Sequence, residues 1–77
     1  MEQRELDGAV AAEVSKRITK SGVTRVWLCQ QTGIPRSTLE RRLAGFPSFT
    51  MNELQRIADA IRVPVADLLE PALAVHA

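Results

Sequence analysis

Four side chains able to exchange hydrogen bonds with a planar polar surface lie within six positions of each other: Arg36, Ser37, Thr38 and Arg41. An arginine fork offers paired donors to an acceptor-rich edge, and serine and threonine hydroxyls both donate and accept. Recognition chemistry suits this set, and catalytic chemistry has little support. Ser15, Ser21, Ser37 and Ser48 have no histidine at a recognisable spacing, because His76 stands alone near the end of the chain. The single cysteine, Cys29, cannot form an internal disulfide or a cysteine-rich zinc site, and it reads as a small core residue. There is no phosphate-cradling glycine loop and no metal-spaced cluster. An enzyme, a bound metal and a cofactor are therefore not expected. One tryptophan, two phenylalanines and no tyrosine also make an aromatic platform for single strands a poor fit.

Charge is organised along the chain although the net value is only +1. Residues 16–42 carry Lys16, Arg17, Lys20, Arg25, Arg36, Arg41 and Arg42 against Glu40 alone, a net of +6, while both flanks are acidic. A basic middle third fits a polyanion met by one face, and equally a solvated charged surface. The longest uncharged runs, Val26–Pro35 and Leu43–Asn52, are too short and too polar to span a bilayer. The start, MEQRELDG, has no apolar stretch for a signal peptide, so a cytoplasmic setting is expected.

The elements that must carry these residues are helical. Leu6, Val10, Val14 and Ile18 repeat every four residues, which predicts a helix over Glu5–Ser21 with Gly22 as its left-handed terminator. Thr24 caps a second helix whose inward face is Val26, Leu28, Cys29 and Thr32, ending at Gly33. Pro35 suits the first turn of a third helix over Arg36–Leu43, ended by Gly45. After a loop, Thr50-Met51-Asn52-Glu53 forms a capping box, and Leu54, Ile57, Ala58 and Ile61 make an apolar stripe. Pro64 opens a last short helix with Val65, Leu68 and Leu69 inward, and Pro71 stops it. The expected organisation is one all-α domain of five helices over residues 1–71 and a loose tail over 72–77.

The second and third helices meet at Thr32-Gly33-Ile34, a turn that needs one residue at positive φ, which Gly33 supplies. Cys29 is small enough for a close crossing. This is the layout of a helix-turn-helix. At about 100° per residue with Leu39 at zero, Leu43 falls near 40°, Ser37 near 160° and Arg41 near 200°. Ser37 and Arg41 thus point away from the core, Thr38 and Glu40 flank them, and Arg36 leaves freely from the first turn. Arginine matches guanine best, and a helix N-terminus favours phosphate.

With Thr24, Leu28-Cys29, Gly33-Ile34, the run Arg36-Ser37-Thr38-Leu39 and the ending Val63-Pro64-Val65-Ala66-Asp67-Leu68-Leu69, the stretch Val23–Leu69 resembles the DNA-binding domain of the lambda-type phage repressor and Cro family. The set in this order covers about three fifths of the chain. The resemblance implies a five-helix fold with a recognition helix at about 35–44 in the major groove. It implies that Arg36, Ser37, Thr38 and Arg41 meet bases. It also implies that Thr24, Arg25, Ser48, Thr50 and Asn52 hold phosphates. Arg42, which points beside the buried side, is expected on a phosphate or an acidic partner. Cys29 stands where the family usually has alanine, Arg42 where an apolar residue is common, and Phe46 and Phe49 where many members are basic.

The expected function is a sequence-specific transcription regulator on double-stranded DNA. One half-site contact is too weak for specificity, so a homodimer on a palindromic operator is expected. If the 77 residues are the whole protein, no separate dimerisation or self-cleavage domain fits, which favours a Cro-like or minimal repressor. The alternative is a protein-interaction module, an antitoxin or adaptor of the same fold, with Trp27, Phe46 and Phe49 as its surface. Trp27, one step off the inward face, is expected to pack beside the first or fourth helix, with an exposed partner surface as its alternative. Leu68, Leu69, Leu73 and Val75 are open between core edge and dimer contact.

Overall fold

The computed structural model describes residues 3–75, and within them five helices and no strand are found: α1 (Gln3–Ser21), α2 (Arg25–Thr32), α3 (Arg36–Leu43), α4 (Met51–Ile61) and α5 (Val65–Val75). A single core of Val14, Ile18, Leu28, Ile34, Leu39, Leu54, Ile57, Ala58 and Leu68 joins all five helices. The long α1 packs along α5 and against α3, while α2 lies between α3 and α4. Every helix therefore buries a stripe against at least one neighbour, which eight-residue helices need because they are too short to persist in water alone.

Local chemistry sets the boundaries. The Thr24 hydroxyl accepts from the Trp27 N–H at 3.0 Å and starts α2. Gly33 ends it at φ 76°, its N–H donating to the Cys29 carbonyl at 2.9 Å. The turn is then closed by Thr32, whose hydroxyl donates to the Leu28 carbonyl at 2.7 Å and accepts from the Ile34 N–H at 3.3 Å. Thr50 and Glu53 form the expected reciprocal capping box at the start of α4. Arg62, at φ 61°, closes α4 in the left-handed region without the usual glycine.

Five expectations from the sequence need correction. α1 begins at Gln3, two residues before the expected Glu5. Pro35 is the cap of α3, one residue before its first turn, with ψ 146° as extended as a residue preceding a helix should be. Val26 is not inward but 51% exposed, since it sits about 200° around the helix from Leu28. Trp27 packs only in part and stays 37% exposed. Pro71 does not stop α5, which runs through it to Val75 and buries Ala72 to 3% exposure. The lost amide is one hydrogen bond, and continued packing along α1 outweighs it. Leu68 is core, Leu69 packs at its edge and Leu73 is exposed, whereas His76 and the Val75 side chain lie outside the described residues.

Candidate nucleic-acid interface

The geometry of α3 follows from one residue. Leu39 is fully buried in the common core, and its position fixes the roll of the helix. With Leu39 inward, Arg36, Ser37 and Arg41 are exposed and Thr38 is half-buried at their flank. The side-chain set that could read an edge is thus presented by one short helix, with Ser37 and Arg41 opposite Leu39, Thr38 at their flank and Arg36 leaving from the first turn. Ile34, buried in the turn, and Leu28 on α2 hold that helix against its partner. Arg56 on α4 adds a strut, its guanidinium donating to the Thr32 carbonyl at 3.3 Å.

The positions expected on phosphates divide in two. Thr24 and Thr50 both cap helices, at the starts of α2 and α4, and both are exposed. Their neighbouring first-turn amides carry the partial positive charge that anions seek. Asn52 is exposed in the first turn of α4, and Ser48 is half-buried in the loop before it.

Arg25 and Arg42 are already engaged within the protein. The Arg25 guanidinium donates to the Glu40 carboxylate at 2.6 Å, tying the start of α2 to the middle of α3. Arg36 stands 3.5 Å from the same carboxylate, as its four-residue spacing from Glu40 suggests. The Arg25 hydrogen bond acts first, with burial opposing it and both arginine charges assisting, to hold the Glu40 carboxyl below its usual range. Arg42 donates to Glu53 at 3.0 Å, and the two side chains are only 17% and 15% exposed. Arg42 therefore has the acidic partner, and its guanidinium is turned toward α4 rather than joined to the exposed set.

Three functional links escaped sequence reasoning: Arg25 with Glu40, Arg42 with Glu53, and Arg56 with the turn. Each joins residues 11 to 24 apart on different helices, so no helical periodicity could register it. The lone acid in a basic stretch was the available signal for Glu40. Among the described residues no group of three histidine, cysteine, aspartate or glutamate side chains could hold a metal. No described helix is long and apolar enough to cross a membrane.

Comparison with known proteins agrees with this geometry. The family profile of the Cro/C1-type HTH DNA-binding domain matches residues 13–72, which takes in the second half of α1, all of α2, α3 and α4, and most of α5. No curated protein and no solved structure matches the chain.

Proposed function

The chain belongs to the Cro/C1-type helix-turn-helix DNA-binding family, and on that premise we propose that it is a sequence-specific transcription regulator whose α3 lies in the major groove of double-stranded DNA. The observation that carries this reading is the roll of α3, with Leu39 fully buried, Ser37 and Arg41 exposed on the other side and Arg36 exposed in the first turn. Arg36 and Arg41 have the fork that matches guanine O6 and N7, and Ser37 and Thr38 suit either base type. Thr24 and Thr50, at two helix starts, fit backbone phosphates together with Ser48 and Asn52. Arg25 joins the phosphates when Glu40 releases it. Two copies on a palindrome would supply the affinity that one short helix lacks. The Cro or minimal phage-repressor type is the form of regulator that the run Arg36–Leu39 and the ending Val63–Leu69 support.

Selection of binding sites from a random duplex pool tests the reading. A defined consensus is expected, and the combined change Ser37→Ala, Thr38→Ala, Arg41→Ala should melt near the parent temperature yet lose preference for that consensus. Residual binding should remain through the helix starts. A variant that kept full preference would place sequence reading elsewhere on the molecule.

A second reading has one observation in its favour. Trp27 and Phe46 are 37% and 75% exposed, which suits a protein-interaction module of the same fold. Phe49 is withdrawn from that surface, since it packs against the core. A chain that bound no duplex at low salt would favour this second reading.

A further inference from the structure

Glu40 is the lone acid between positions 16 and 42, and it stands half-buried at the flank of the exposed face of α3. Its two oxygens are not equivalent. Oε2 accepts from Arg25 at 2.6 Å. Oε1 is shielded from solvent and, among the described residues, accepts no hydrogen bond, with Arg36 Nε at 3.5 Å as its ion-pair partner. A carboxylate oxygen seeks about two donors, and one left covered without a proper donor costs free energy. At 3.5 Å the Arg36 contact is electrostatic and falls short of a good hydrogen bond. The carboxylate thus restrains two cations that phosphates would otherwise attract. Its hold on Arg25 is tight and its hold on Arg36 is loose.

We propose that Glu40 is a positioning residue for base reading, which restrains Arg25 from indiscriminate phosphate contact and sets the approach of the Arg36 fork. The proposal rests on the reading of α3 as the recognition helix. On a random duplex, moving Arg36 uncovers Oε1 and gives it nothing in return. On a matching G·C pair, guanine O6 and N7 take the Arg36 fork. The uncovered Oε1 can then accept from the cytosine amino group of the same pair. Glu40 therefore raises the cost of the wrong duplex more than that of the right one, which is how specificity is made from a repulsive element.

The test compares dissociation constants for the selected duplex and a random duplex across a salt series. Wild type, Glu40→Gln and Glu40→Asp are measured, each also with Arg36→Ala, after thermal melting has shown which variants fold. Glu40→Gln should tighten random-duplex binding and steepen the salt slope by about one per subunit, as one freed cation reaches a phosphate. It should cut the preference for the selected duplex by about tenfold, within the discrimination that a bidentate arginine–guanine pair carries. Glu40→Asp keeps the charge but is one methylene shorter. It should lower the preference while leaving the salt slope unchanged, and it carries the test if Glu40→Gln does not fold. With Arg36→Ala in place, neither change should alter the preference. An unchanged preference in both Glu40 variants would overturn the proposal, and so would an equal loss with Arg36 absent. A wild-type protein that cannot tell the two duplexes apart would instead refute the recognition reading itself, so the two failures are distinct.

Discussion

Replacing Glu53 should loosen the joint that sets α3 against α4. One oxygen, Oε1, accepts both the Thr50 N–H at 2.9 Å and the Arg42 guanidinium at 3.0 Å. Losing the reciprocal half of the capping box costs about 0.5–1 kcal/mol, at the lower end of cap substitutions. Leaving Arg42 without its acceptor, in a site where it is 17% exposed, adds about 1.5–3 kcal/mol. Glu53→Ala should therefore lose about 2–4 kcal/mol, much of what a small domain holds. Glu53→Gln still has an oxygen for the Thr50 N–H and should lose about half as much. Urea denaturation at neutral pH reads this as a lower midpoint with an unchanged slope. Acid supplies a second check. Burial raises the Glu53 pKa, but the hydrogen bonds from Thr50 and Arg42 outweigh it, and the folded carboxyl lies below its ordinary range. The stabilisation is thus complete above the unfolded pKa of about 4.3 and is lost as pH falls through the folded value. The gap between wild type and Glu53→Gln should be widest near neutrality and close below about pH 4. A gap that stayed constant with pH, or a neutral Glu53→Ala, would refute the reasoning.

Leu39→Ala should open a cavity in the common core and cost about 2–5 kcal/mol in denaturant unfolding. Gly33→Ala, at φ 76°, should cost about 1–2 kcal/mol and lower the melting temperature with no lost contact to account for it. If a dimer makes about 6–10 phosphate contacts, DNA binding measured by anisotropy should weaken about 10³- to 10⁵-fold between 50 and 200 mM salt, and a flat response would remove nucleic acid as the main partner. Ala72→Asp should destabilise by about 3 kcal/mol or more because it places an unpaired charge at a site that is 3% exposed, whereas Leu73→Asp, at 65% exposed, should stay within about 0.5 kcal/mol; equal tolerance of both would mean that α5 ends at Pro71 after all.

Caps and stripes were legible in the sequence because their causes are local. Gly33 takes positive φ because the turn demands it, and Thr50 and Glu53 meet because three residues separate them. Leu39 and Leu43 predicted the roll of α3 from spacing alone, and the structure has Leu39 buried with Ser37 and Arg41 outward. Pro71 misled because the local rule is sound but incomplete. Proline removes one helical hydrogen bond, and the sequence does not display that α5 lies along α1, whose packing offsets the loss. Val26 misled in a related way. Its apolar type implies an inward position, but eight residues allow only one narrow stripe, and Leu28 with Thr32 occupies it.

Charge was the least legible property, because only tertiary structure shows which cations remain available. The net of +6 over residues 16–42 suggests a broad basic face. Yet Arg17 pairs with Glu13 at 2.7 Å and with Asp67 at 3.8 Å, Arg42 is held by Glu53, and Arg25 and Arg36 share Glu40. Among the described residues, Arg41 is the arginine of α3 that makes no ion pair. The surface of α3 is therefore less a uniform basic patch than one unpaired arginine beside two that share Glu40. A uniform patch attracts every polyanion alike, since phosphate attraction carries no sequence information. Restrained arginines answer to geometry, because each must gain more from a base edge or a phosphate than it gives up at its carboxylate. On the proposed reading, a domain with a net charge of only +1 would in this way avoid non-specific capture while keeping arginine forks for base edges.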